Sequence, residues 1–142
     1  MGSNKATLDY FDYETGIYHK NIYAERNPGV VQELGDVGND IQIYGNTLYA
    51  IINCSHFVEV MNVETAKHIT QISIPNCRYI VFKDKYAYVS SYAGPVKIDP
   101  NARLGYVARV DTTTLTVKDT CVVGYQPEEM VIVGNKLYVA TS

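Results

Sequence analysis

Three copies of one short element, Asp12-Tyr13-Glu14-Thr15, Asn62-Val63-Glu64-Thr65 and Asp111-Thr112-Thr113-Thr114, recur 50 and 49 residues apart, each between two apolar runs. A period of that size is the mark of a repeat array. A second pattern keeps pace with the first. Asp40-Ile41-Gln42-Ile43 with Gly45-Asn46-Thr47-Leu48-Tyr49-Ala50 lays on Arg78-Tyr79-Ile80-Val81 with Lys83-Asp84-Lys85-Tyr86-Ala87-Tyr88, and on Glu129-Met130-Val131-Ile132 with Gly134-Asn135-Lys136-Leu137-Tyr138-Val139. The chain is a few copies of one small unit.

That unit reads as strand throughout. Thirteen Tyr and many Val, Ile and Thr suit a pleated, half-buried surface, and no window of 11 residues carries a helical stripe. Gly45-Asn46, Lys83-Asp84 and Gly134-Asn135 part a first strand from a second, the Gly-Asn pairs supplying the positive φ that tight hairpins need. The Asp/Asn-x-x-Thr element parts a third strand from a fourth, because its acceptor oxygen can take backbone amides two residues on. Each full unit is therefore a four-stranded antiparallel meander. Such units repeated radially make an all-β fold, the β-propeller.

Leu48-Tyr49-Ala50, Leu137-Tyr138-Val139-Ala140-Thr141, and Val110-Asp111-Thr112-Thr113-Thr114 followed by Val122-Val123-Gly124-Tyr125-Gln126-Pro127 resemble the YVTN-type blade. The resemblance covers nearly the whole chain and is best in the third unit. The first unit departs from the pattern at Asn62 and Ile74-Pro75-Asn76. The family comprises bacterial surface-layer-like propeller proteins, so the resemblance implies an exported, non-enzymatic propeller of about seven blades, located at the cell surface, in the periplasm or outside the cell. It brings no catalytic residues with it.

Counting strands divides the chain unevenly. Residues 7–34 supply a half-blade of third and fourth strands, 40–75 and 78–124 two complete blades, and 128–142 a half-blade of first and second strands. About three blades per chain are too few to close a ring of four to eight. Either the chain is a fragment of a larger propeller or oligomerisation completes the ring. Two copies would give six blades, so a homodimer is expected, with Leu137 to Ala140 of one chain pairing near Thr7 to Tyr13 of the other.

The loops between second and third strands, and those leading to the next blade, share one face of a propeller, where partners usually meet these folds. The intra-blade loop is short in the first full blade, Asn53-Cys54-Ser55-His56, and long in the second, from Ser90 to Leu104. A long loop on a repeat scaffold is a candidate binding loop. Tyr92, Lys97, Asp99 and Arg103 on it combine an aromatic face with donors and acceptors, as a glycan or polar protein ligand requires. Arg78, matched by position with Asp40 and Glu129, is expected at the channel mouth and completes the ligand-binding set. The leading functional expectation is a binding or scaffolding module for protein or polysaccharide partners. The alternative is a lyase- or hydrolase-type enzyme with its site at the channel mouth.

Charge and cysteine usage narrow the remaining classes. A net charge of -3, with Lys and Arg scattered singly, offers no stripe for phosphates, so no nucleic-acid partner is expected. Apolar runs are strand-sized, so no membrane span is expected. Three cysteines, Cys54, Cys77 and Cys121, exclude a fully paired disulfide framework. Cys54 and Cys77, placed on loops of one face with His56, match no strong zinc motif, and no metal or cofactor is expected. Cys121 aligns with Ile22 and Ile72 and is expected in the core, as are the inner-strand aromatics Tyr49, Phe82, Tyr88 and Tyr138.

Overall fold

A computed structural model describes residues 5–30, 33–94 and 104–142. At the N-terminal side, β1 (Lys5–Ala6), β2 (Tyr10–Phe11) and β3 (Tyr18–His19) precede a short helix α1 (Ile22–Arg26) and β4 (Gly35–Asp36). β1 pairs with β4, and β2 with β3, each antiparallel. Two four-stranded meanders follow. The first runs β5 (Gly38–Tyr44), β6 (Thr47–Ile52), β7 (Phe57–Asn62) and β8 (His68–Ser73). The second runs β9 (Cys77–Lys83), β10 (Tyr86–Ser91), β11 (Tyr106–Asp111) and β12 (Thr116–Val122). A final hairpin joins β13 (Met130–Val133) to β14 (Lys136–Val139). The innermost strands β5, β9 and β13 are neighbours in that order, which is radial packing.

The repeated turns have one geometry. Asp12 Oδ1 accepts from the amides of Glu14 and Thr15, at 2.9 and 3.2 Å. Asn62 Oδ1 does the same for Glu64 and Thr65, at 2.9 and 3.0 Å, and Asp111 Oδ1 for Thr113 and Thr114, at 2.8 and 3.1 Å. The fifth residue of each turn, Gly16, Ala66 or Leu115, takes a positive φ and returns its amide to the first carbonyl. The side-chain oxygen thus satisfies two amides that the turn withdraws from the ladder.

The hairpins correct the alignment of the repeats. Tyr44 pairs with Thr47, Lys83 with Tyr86, and Val133 with Lys136, so the turn residues are Gly45-Asn46, Asp84-Lys85 and Gly134-Asn135. Asp84, at φ 55, fills the left-handed position that Gly45 and Gly134 fill elsewhere, a conformation Asp tolerates better than most side chains. Counting back six residues from each aligns Asn39, Arg78 and Glu128. Arg78 therefore does not share its place with Asp40 and Glu129, which align instead with Tyr79.

Two apolar clusters hold the blades. Between the two meanders lie Tyr49, Ile51, Val58, Val60, Ile72 and Ile74 on one side and Cys77, Ile80, Ala87, Val89, Ala108 and Val110 on the other. The opposite face of the first meander, with Leu48, Ala50, Ile52 and Met61, is covered by Leu8, Tyr23 and Leu34 of the N-terminal segment. α1 belongs to that cover: Asn27 Nδ2 donates to both Tyr23 O and Ala66 O, pinning the helix end to the blade. β7 is consequently buried on both faces, including Glu59 at 0% exposure.

Two expected core residues and one expected loop residue sit differently. Cys121 is exposed on the outermost strand β12, because no sheet among the described residues covers that flank. Tyr138 is 54% exposed for the same reason, whereas its equivalent Tyr49, at 1%, lies between two blades. Cys77 begins β9 rather than a loop and is fully buried, and burial pushes its thiol up to about 12.

Candidate functional site

Arg78 stands at the start of β9 and Glu128 in the loop just before the adjacent innermost strand β13, so the fold brings opposite charges from two blades together. Arg78 Nε donates to Glu128 Oε1 at 2.6 Å, and Nη2 to Oε2 at 3.3 Å, a forked contact. Tyr92, following β10, donates its hydroxyl to Glu128 Oε2. The Arg78 guanidinium lies 4.8 Å from the Tyr92 ring centroid, within cation–π range. Ser90 Oγ donates to Glu128 O at 2.8 Å and accepts from the Tyr79 amide at 3.1 Å, which fixes the backbone under the cluster.

The electrostatics follow from partial burial. Desolvation pushes the Tyr92 phenol up to about 12, aided by its bond to Glu128, so it remains a neutral donor at physiological pH. Desolvation works against the Arg78 charge, but the Glu128 hydrogen bond and charge outweigh it and the net direction is upward. The pair keeps 20% and 31% side-chain exposure, open enough to meet a ligand and shielded enough to be ordered.

Equivalent links repeat one blade earlier. Asn39 Nδ2 donates to Arg78 O, and Asn53, the positional match of Tyr92, donates to Asn76 Oδ1 at 2.6 Å and Cys77 O at 2.9 Å. Asn76 Nδ2 reaches Gly94 O at 2.9 Å, so intra-blade and inter-blade loops do share one face. Asp40 is turned to the Ile80 amide at 3.1 Å and Glu129 is exposed, so neither joins the Arg78 cluster.

Of the sequence candidates, Arg78 and Tyr92 are brought together; Lys97, Asp99 and Arg103 lie outside the described residues. Glu128, which links the two, escaped sequence reasoning because the hairpin offset concealed its equivalence to Arg78. The count of six residues back from each positive-φ turn residue would have found it. Among the described residues no three His, Cys, Asp or Glu side chains converge as a metal set. His56 Nδ1 instead accepts the Asn76 amide at 2.8 Å, and Cys54 lies exposed beside Asn53.

A second polar group is internal. Buried Glu59 accepts from the Tyr23 hydroxyl at 2.9 Å and meets His68 Nδ1 at 2.6 Å, both through Oε2, and Oε1 has no hydrogen-bond partner among the described residues. Burial and then Glu59 raise the Tyr23 phenol well above its ordinary value. This group ties α1 to the first blade and lies away from the loop face.

No family model matches the chain, and no curated protein matches it. Among solved structures, the chain is similar to Kuenenia stuttgartiensis hydrazine synthase, with TM-score 0.62 and 12% identity over 86% of this chain and 32% of that one. It is also similar to the dihydro-heme d1 dehydrogenase NirN in complex with DHE, with TM-score 0.58 and 9% identity over 91% of this chain and 26% of that one. Both neighbours are β-propeller proteins. This chain is a partial β-propeller. At such identities the likeness establishes the fold, and this partial propeller spans about a third or less of each neighbour's length. No helix among its described residues is long and apolar enough to cross a membrane.

Proposed function

We propose that the chain is a non-enzymatic binding or scaffolding module of the YVTN type, exported to the cell surface, periplasm or exterior, and that its loop face holds a protein or polysaccharide partner. The observation that carries this reading is the Arg78–Glu128–Tyr92 cluster, in which two blades contribute a forked ion pair and a phenol to one partly exposed spot. An aromatic face flanked by fixed donors and acceptors suits a hydroxyl-rich or peptide ligand. We further infer that the working form is a homodimer closing a six-bladed ring.

The test is a thermal-shift screen against a glycan array, repeated on Arg78→Ala and Tyr92→Ala. A ligand at 100 times its Kd should add about 2.7 kcal/mol of stability to the wild type, and the shift should vanish in both variants. A shift that survives both substitutions would place binding elsewhere and overturn the reading.

A further inference from the structure

Among the described residues, the interface between the two full blades shows what a finished contact looks like. Tyr44 and Tyr49 of the first blade pack on Phe82 and Ile80 of the second: the Tyr44 and Phe82 rings stack at 4.5 Å, Tyr49 stands 4.9 Å from Phe82, and Ile80 is 2% exposed. By the hairpin register the equivalents of Tyr44 and Tyr49 in the last hairpin are Val133 and Tyr138. Those of Ile80 and Phe82 in the first blade are Ile41 and Ile43. All four are bare: Val133 60%, Tyr138 54%, Ile41 48% and Ile43 58% exposed. The same repeat positions that are closed at one interface are open at both ends of the array.

The flank beside the last hairpin is open in the same way. The second blade turns Tyr88, Val107, Arg109 and Cys121 into a cleft of about 390 Å3 beside Leu137 and Val139, where the third and fourth strands of the next blade would lie. β2 and β3 are a third-to-fourth-strand hairpin with the same Asp12 turn. Leu8, on one side of that hairpin, is buried against the first blade, while Phe11 and Tyr18, paired on the other side, are 52% and 54% exposed. Phe11 is the positional match of Val110, which faces the preceding blade in the finished interface.

We propose that a second copy of this chain is the partner of these surfaces, through a strand exchange made twice. The β14 edge of each copy takes β2 of the other. Register carried over from β10–β11 sets Tyr138 opposite Tyr10 and Leu137 opposite Phe11. The completed sheet lays Tyr138 and Val133 on the partner copy's Ile41 and Ile43, and Phe11 and Tyr18 on the Val107–Cys121 cleft. The exchange pairs the free edges of β14 and β2, which an isolated chain would present to any passing strand. The last hairpin of each copy is extended by the β2–β3 hairpin of the other, and the symmetric pair closes at six blades, within the usual range.

This inference rests on the homodimer reading, and the experiment separates the two. Light scattering on the whole chain should give about twice 15.9 kDa. In a Cys54→Ser, Cys121→Ser background, Tyr10→Cys combined with Tyr138→Cys should oxidise to an inter-chain disulfide. Tyr10→Cys combined with Lys136→Cys, two residues out of register, should not. Phe11→Asp should drop the mass to one chain while the far-ultraviolet spectrum stays that of folded strand. A single-chain mass for the folded wild type overturns the dimer and the exchange together. A two-chain mass that Phe11→Asp leaves intact, or without the in-register cross-link, overturns the exchange alone.

Discussion

Asp12, Asn62 and Asp111 occupy one repeat position, and an amide there makes the same two bonds as a carboxylate. The position therefore requires an acceptor oxygen and no charge. Asp111→Asn should leave the urea midpoint at pH 7 close to that of wild type, as for a benign surface change. Asp111→Ala should lower that midpoint through the lost acceptor. The backbone amides, Thr113 foremost, hold the Asp111 carboxyl below its ordinary value of 3.8. A depressed folded value contributes stability above 3.8 that disappears as pH falls through the folded value. Asp111→Asn lacks that dependence, so its stability relative to wild type should rise as the pH is taken below 3.8. The turn was legible in sequence because its chemistry is local. Asp84 was not, since Asp in a Gly position shifts the apparent turn by one residue and with it the place of Arg78.

Among the elements, β7 shows where strand periodicity stops informing. Val58-Glu59-Val60 alternates as though Glu59 faced water, yet α1 and the N-terminal strands cover that side and bury it with Tyr23 and His68. A five-residue helix is too short to leave a periodic stripe, so neither the helix nor the burial could be read in advance. Glu59→Ala should cost about 2 to 3 kcal/mol by stranding the Tyr23 hydroxyl, and Glu59→Gln, which keeps an acceptor, distinctly less. Denaturant midpoints for the two variants would check the order. Equivalent inner-strand tyrosines should differ more widely. Tyr49→Ala opens a cavity against Phe82 and Val60 and should cost about 3 to 5 kcal/mol. Tyr138→Ala, measured at high dilution, should cost about 1 kcal/mol or less, because an exposed side chain has little packing to lose.

For the whole molecule, the meander, its blade count and its radial packing were all readable because a repeat states its own pattern several times over. The inter-blade cluster at Arg78 was only half readable, since Glu128 comes from another unit and the pairing depends on register. The same repeat logic governs how stability is distributed. The apolar seam between the two full blades is closed, while β13 and β14 rest on the second blade with their outer flank bare. Opening free energies follow buried contact, so amides of β6, β7, β10 and β11 should exchange slowest at any protein concentration. Those of β13 and β14 should depend on concentration, because strand exchange between copies protects them only in the dimer, and binding stabilises by mass action. Hydrogen exchange read by mass spectrometry over a hundredfold dilution should therefore speed exchange at Met130–Val133 and Lys136–Val139 while leaving Thr47–Ile52 unchanged. Uniform exchange at both concentrations would mean that the last hairpin draws no protection from a second chain.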